Sequence, residues 1–366
     1  MKTEWVHKKL GDDDVAKIIM GQSPSSASYN DENIGLPFLQ GCADFGEVFP
    51  KTSVYCNEPL KVAPQNSILM SVRAPVGTIN KADQKYIIGR GLCSIVSLIN
   101  NDYLYYYLLQ NKNRLEQKAQ GSTFLAINSA EVNDFDVSYP ESLSTQRRIA
   151  AILTSADKVI AATQKTIAKY KQIKQGMMED LLKPKEGWKM VKLGEVGDFY
   201  VGGDVDRSCF SPYPTVECRF PIYANALVNE GLYGFSSKYE FDKEAITITG
   251  RGDVGKVFYR KPYFSTIIRL VTLIPTDSNI DVKFLSYAMS RINFIIESTG
   301  VPQLTAPQAK KYEVSIPYQN GKTDLAAQRR IAAILSGIDA KIAAEEKVLE
   351  KYEKVKKGLM EKLLNE

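Results

Sequence analysis

Gly250-Arg251-Gly252-Asp253-Val254-Gly255-Lys256 has the spacing of a phosphate-binding loop, with glycines for close backbone approach and a lysine for the phosphates. Such a loop next needs Ser or Thr for magnesium, then a helix whose first amides face the nucleotide. Here Val257 follows, and Phe258-Tyr259-Arg260 continues as strand. A glycine-rich hairpin presenting Arg251 is the simpler reading, and Arg-Gly-Asp at 251–253 is then hairpin chemistry too. Other catalytic constellations are thinly supplied. The single histidine, His7, leaves almost no imidazole for zinc or for a Ser-His or Cys-His nucleophile. Cys42, Cys56, Cys93, Cys209 and Cys218 contain no C-x-x-C pair and read as buried, reduced thiols. A glycine-rich cofactor loop with an Asn-Pro-Pro-Tyr-like segment, as an amino-methyltransferase needs, is missing, and no carboxylate cluster recurs in both halves. The residue types point to a non-catalytic chain.

What does recur is much longer. Gln146–Leu182 and Gln328–Leu364 align at a constant offset with 21 identities in 37 positions, and each opens with QRRIAAIL. Fainter matches extend outward: Trp5 and Leu10-Gly11 with Trp188 and Leu193-Gly194, Arg73 and Val76-Gly77 with Arg251 and Val254-Gly255, Pro140 with Pro317. The unit is therefore half the chain, a globular domain plus a helix, duplicated in tandem.

The elements that must hold these residues follow from pattern. Short β-like runs at 67–72 and 95–99, and at 245–249, 255–259 and 267–274, alternate with turn signals; helices are expected near 102–120 and 282–298. The fold class is α+β: two α/β domains in pseudo-twofold arrangement, separated by two long antiparallel coiled-coil helices. Expected boundaries are 1–141 and 184–323 for the domains, 142–183 and 324–366 for the helices, with Ser142 and Asp324 as N-caps. Ile149, Leu153, Ala156, Ile160, Thr163, Ile167 and Tyr170 advance by fours and threes, as do Ile331, Leu335, Ile338, Ile342, Glu345, Leu349 and Tyr352. That is a heptad seam, interrupted at matching places by Thr163 and Glu345. Beyond the tyrosines the seam is expected to rotate onto Ile173, Met177, Leu181 and Val355, Leu359, Leu363. Thirty-seven helical residues rise about 55 Å, more than one domain needs for its own core. Helices of equal length and register make mutual partners, and the pair would act as a ruler.

At 366 residues with 44% hydrophobic and 24% charged content, the chain suits two soluble domains. No apolar run reaches a membrane span and no leader pattern opens the chain, so a cytoplasmic protein is expected. Of the net charge of +5, the helices contribute +7 (sixteen basic, nine acidic), which leaves the domains at −2. Any nucleic-acid contact by the domains must use local patches or a partner's help.

Turn-borne polar residues at matching positions are the candidates for such patches: Arg73 and Arg251 in one hairpin, Ser122 and Thr123 against Gln303 in one loop, together with Arg90, Lys256 and Arg269. Arginine suits guanine, glutamine suits adenine, and hydroxyls suit phosphate or base. Taken singly, each is more commonly a solvated turn residue.

With the duplicated domain, the segments TQRRIAAIL and AAQRRIAAIL and the missing catalytic motifs in hand, the chain resembles the specificity subunit of type I restriction-modification systems over essentially its whole length. The resemblance implies two target-recognition domains, each reading part of a split, asymmetric site on double-stranded DNA. It implies helices that space the domains and dock two methyltransferase subunits, with Gln146, Arg147, Arg148, Tyr170, Gln328, Arg329, Arg330 and Tyr352 as the expected docking and spacer residues. Restriction subunits complete the complex; S-adenosylmethionine, ATP and magnesium belong to the partners, and this chain holds neither cofactor nor metal. One departure is the short stretch before Trp5. The rival reading is a coiled-coil adaptor without DNA specificity.

Overall fold

In the computed structural model, which describes residues 4–119, 126–295 and 303–365, the chain divides into two compact units: Met1–Lys165 with Glu346–Glu366, and Thr166–Glu345. In the first unit, strand Trp5–Lys9 pairs antiparallel with Asp136–Pro140, Trp5 facing Pro140. A four-stranded sheet runs in the order Ala16–Met20, Leu92–Ser97, Ile68–Ser71, Ile79–Lys81. A five-stranded sheet follows the order Tyr29–Asn30, Tyr55–Cys56, Leu36–Leu39, Tyr86–Ile88, Val62–Ala63. Its helices are α1 (Asn101–Gln110), α2 (Lys112–Lys118), α3 (Ser129–Asn133) and the start of α4 (Leu143–Leu181).

The second unit repeats the plan. Trp188–Lys192 pairs with Glu313–Gln319, Trp188 facing Pro317, and Lys322–Thr323 adds a third strand. One four-stranded sheet has the order Gly197–Val201, Val271–Pro275, Ala245–Ile248, Val257–Arg260, and another the order Phe210–Ser211, Leu232–Ser236, Phe220–Tyr223, Ser265–Thr266. Helices α5 (Leu193–Val196), α6 (Val282–Met289), α7 (Ala306–Ala309) and the start of α8 (Leu325–Leu363) complete it. The central strands Ile68–Ser71 and Ala245–Ile248 are buried at every position, so their sequences lack polar-apolar alternation, and the polar Ser71 and Thr247 are hydrogen-bonded inside.

The repeated small residues have one physical role in both units. Ser71 Oγ and Thr249 Oγ1 each close a hairpin, donating to the carbonyls of Pro75 and Asp253 and accepting from the amides of Thr78 and Lys256. Gly77 and Gly255 end that turn at φ 75° and 80°, where an added Cβ would also meet Leu115 or Phe294 at 3.1 and 3.0 Å. Only glycine meets both demands, which explains why Val-Gly survived when the neighbouring sequence diverged.

Each long helix is anchored to its own lobe at its first turns. Gln146 and Gln328 are 2% and 0% exposed. The Gln146 side chain accepts the Asn100 amide and donates to the Pro140 carbonyl, and Gln328 accepts the Asp281 amide and donates to the Asn279 carbonyl. Asn100 and Asp281 in turn cap α1 and α6. Asp324 caps α8 through the Ala327 amide, as expected, whereas the Ser142 hydroxyl bonds Ser144.

The far end of the other helix closes each core. Met360 and Leu364 join Ile149, Leu153 and the α1 tyrosines in the first unit; Leu182 joins Leu193, Ile331 and Leu335 in the second. Lys356 pairs with Asp157 at 2.5 Å in one unit and Lys174 with Asp339 at 2.6 Å in the other. Both pairs obey a single antiparallel register: from Asp157 to Lys174 on α4 is the same count of residues as from Asp339 to Lys356 on α8.

The expected rotation of the seam is corrected at its first step. Ile173 and Val355 are exposed, whereas Met177, Leu181, Leu359 and Leu363 are partly buried and pack against the cores as expected. The heptad continues in step through Lys174 and Lys356 to those four residues. Two further expectations change. The helix read at 102–120 breaks at Asn111 into α1 and α2, and α6 ends at Met289. Of the five cysteines, Cys56 and Cys93 are buried, but Cys42, Cys209 and Cys218 are partly exposed and all five are free.

Candidate nucleic-acid interface

The second lobe brings three separate turns to one sheet end. Arg251 projects from the hairpin between Ala245–Ile248 and Val257–Arg260, which confirms strand rather than helix after Lys256. Arg269 precedes strand Val271–Pro275, and Gln303 precedes α7, whose first turn is closed by a Thr305–Gln308 capping box. The Leu304 amide bonds the Gly250 carbonyl at 2.8 Å, which stitches the third turn to the first. Arg251, Arg269 and Gln303 then line one cleft of about 190 Å³ with Val201, Leu304 and Pro307. That is below the usual 300–1,000 Å³ of a small-molecule pocket, and large enough for a polar edge.

Within the cleft, Arg251 Nε and Nη2 both donate to Gln303 Oε1, at 3.1 and 3.0 Å. Of the five guanidinium N–H groups, three remain, on Nη1 and Nη2. Arg269 is set by strain: Ile268 and Arg269 are successive left-handed residues, φ 54° and 60°, a conformation costing on the order of 1–3 kcal/mol per non-glycine residue. Their amides bond the Gly203 and Gly202 carbonyls at 2.8 and 3.0 Å, and Asn225 donates to the Ile268 carbonyl while accepting the Gly250 amide at 2.7 Å. Asn225 thus staples the two arginine turns together, a role that no spacing in the sequence announced. Lys256 is exposed on the other leg of the hairpin and does not line this cleft.

The first lobe offers the corresponding end. Arg73 is exposed and bridges Ala126, and the Val72 amide bonds the Gly91 carbonyl at 2.9 Å, so the Arg73 and Arg90 turns are laced side by side. The amides of Gly21 and Gly202 bond Leu92 and Leu270 alike, which sets Arg90 one place earlier in its turn than Arg269. Ser122 and Thr123 lie outside the described residues.

Other basic and aromatic groups are structural. Arg260 is 2% exposed, 3.7 Å from the Tyr223 ring centre, and donates to Thr247 Oγ1 and the Glu230 carbonyl; burial pulls its pKa below the usual arginine value. Tyr103, Tyr106 and Tyr107 are buried. Tyr103 and Tyr107 donate to the carbonyls of Ser138 and Asp136. Tyr106 donates to Asp157 at 2.6 Å, and Tyr287 does the same to Asp339. Burial, reinforced by these carboxylates, pushes the pKa of both hydroxyls upward.

Along the helices, Arg147, Arg148, Arg329 and Arg330 are exposed, Tyr170 is partly buried and Tyr352 is 39% exposed. Gln146 and Gln328 are spent inside their lobes. Among the described residues no cluster of metal ligands occurs and no helix is long and apolar enough to cross a membrane.

Fold and site define a protein of two like α/β lobes carried on long helices, each lobe offering arginine-bearing turns at a sheet end. The family described as type I restriction modification DNA specificity domain matches residues 2–172 and again 185–354, and the chain belongs to that family. A putative type I restriction enzyme MjaX specificity subunit from Methanocaldococcus jannaschii is 41% identical over 182 residues, 49% of this chain and 43% of that protein. A putative type I specificity subunit, S.MgeORF438P of Mycoplasma genitalium, is 23% identical over 322 residues, 82% of this chain and 81% of that one. Against the M. jannaschii protein and two relatives from Mycoplasma pneumoniae, the chain spans about half of their length: 43%, 52% and 56%. The fold is shared with the crystal structure of a type I restriction-modification S subunit from M. genitalium, with a TM-score of 0.72 at 19% identity, covering 100% of this chain and 97% of that one.

Proposed function

We propose that this chain is the specificity subunit of a type I restriction-modification complex and reads a bipartite, asymmetric site on double-stranded DNA, one part per lobe. The observation that carries the reading is the convergence of Arg251, Arg269 and Gln303 in one cleft, Arg269 on a turn held in strained geometry. With Gln303 Oε1 holding one side of the Arg251 guanidinium, the three remaining N–H groups suit the O6 and N7 edge of guanine. Arg269 and Lys256 supply phosphate or neighbouring base contacts, and Arg73 and Arg90, with Ser122 and Thr123, play the corresponding part in the first lobe. The two lobes differ in these residues, so the two half-sites differ.

Segments 1–141 and 184–323 act as the recognition domains, and 142–183 and 324–366 as spacer helices whose repeated sequence offers equivalent seats to two methyltransferase subunits. Arg147, Arg148, Arg329, Arg330, Tyr170 and Tyr352 are the docking candidates; Gln146 and Gln328 support the docking face from beneath. The chain itself is non-catalytic and cytoplasmic. Adenine methylation with S-adenosylmethionine, and ATP- and magnesium-dependent cleavage by restriction subunits, belong to the partners.

Mapping methylated adenines in cells with and without the chain tests this reading. The expected result is a single split motif that disappears with the chain. In the same assay Arg251→Ala relaxes one base of one half-site, by about 1–3 kcal/mol of discrimination. Methylation unaltered by loss of the chain would favour the adaptor reading instead.

A further inference from the structure

An apolar heptad seam specifies its register poorly. Sliding one helix past the other by seven residues returns apolar positions to apolar positions, and a polar seam residue removes the degeneracy. Lys174 and Lys356 occupy seam positions here, each half-buried and each paired with the aspartate that follows a seam position on the opposite helix. The same aspartates accept the hydroxyl of a lobe tyrosine, Tyr287 or Tyr106, at 2.6 Å, and each lysine lies over that tyrosine's ring, at 5.5 and 5.9 Å. Three elements therefore meet at each aspartate: the lobe's own helix, the head of its long helix and the tail of the other.

We propose that these two Tyr–Asp–Lys clasps are the register-setting device of the spacer. They tie the rotational setting of each lobe to one axial alignment of the helix pair, so that a heptad slip breaks both clasps together as it draws Met360, Leu364 and Leu182 out of the lobe cores. Asp157, Lys174, Asp339 and Lys356 are accordingly positioning residues, acting on DNA only through the spacing of the lobes. That last consequence rests on the specificity-subunit reading; the register itself does not.

The test uses the full chain with its methyltransferase partners. Nitroxide amino acids encoded at Gln172 and Lys341, both exposed and at one level of the pair, report the alignment by electron-electron double resonance and leave the native cysteines in place. Reversing both aspartates, Asp157→Lys with Asp339→Lys, is expected to replace one narrow distance by a broad or longer distribution, since a heptad slip moves the helices by about 10 Å. The spacer between methylated half-sites broadens in parallel. Adding Lys356→Asp and Lys174→Asp restores charge complementarity and with it the single distance and single spacer. That fourfold exchange also keeps the test decisive if the reversed protein fails to fold. A reversed variant with the native narrow distance would show that the seam alone sets register and would overturn the proposal, as would failure of the fourfold exchange to restore it. A slipped distance with an unchanged DNA spacer would leave the clasp standing and remove the ruler.

Discussion

At the scale of residues, polar side chains divide into those spent inside the fold and those left over for function, and composition alone does not sort them. Gln146 and Gln328 open the most visible repeat in the chain and are buried to the last few per cent. Gln146→Leu keeps the size but orphans the Asn100 amide and the buried Pro140 carbonyl. Unpaired buried groups cost about 1–3 kcal/mol each, so chemical denaturation should show a loss of that order, and a neutral effect would mean that water reaches both groups. Cysteine behaves with the same selectivity. Burial pushes the Cys93 thiol up to about 12, whereas hydrogen bonds from Ser208 and Ser237 pull that of the partly exposed Cys209 below the ordinary value. A thiol with lowered pKa holds more thiolate at neutral pH, and thiolate is the reactive form. Alkylation followed by peptide mass spectrometry should therefore find Cys209 modified well before Cys93. Arg251 was legible in the sequence because the Val-Gly of its hairpin repeats. Its meeting with Gln303 was not, because the two lie 52 residues apart with no periodicity between them.

Among elements, the long helices were the easiest part to read and their seam the easiest to misread. Counting only apolar residues carried the seam onto Ile173 and Val355, the neighbours of the lysines that occupy it. Side-chain chemistry, not hydrophobicity, decides those positions, and the signal available was the identity of Asp157 with Asp339 and of Lys174 with Lys356. Leu153 and Leu335, by contrast, were recognised from pattern alone and are fully buried; Leu335→Ala should cost about 2–5 kcal/mol, measurable as a drop in the denaturant midpoint with unchanged slope. The turn at Ile268-Arg269 could not be anticipated, since a β-branched residue at positive φ runs against local preference. Ile268→Gly removes that strain from a half-exposed position. The expected result is a melting temperature equal to or above that of the parent, with weaker discrimination at one half-site; a clear loss of stability would mean that the turn is not strained.

For the whole molecule, the duplicated plan was legible in the matches of Trp5 with Trp188 and Pro140 with Pro317, but not the strand pairing that sets each tryptophan opposite its proline. The composition of the compact units was not. Nothing in a linear pattern says that residues 346–366 belong with the first lobe, because the link is made by packing at the far end of a helix. If the helix pair is a ruler, removing one heptad from each helix should shorten the methylated spacer by about 10 Å, close to three base pairs at about 34 Å per helical turn, with both half-site sequences retained.

The way each lobe is completed also has a temporal side. Ile149 and Leu153 are covered by Met360 and Leu364, which leave the ribosome some two hundred residues later. At about 5–20 residues per second, the first lobe waits on the order of 10 to 40 s with an apolar flank open, while the second closes as soon as its own helix head emerges. A chain stopped short within α8 would leave that flank uncovered, and limited proteolysis of such a truncation should cut the first lobe faster than it does in the intact chain.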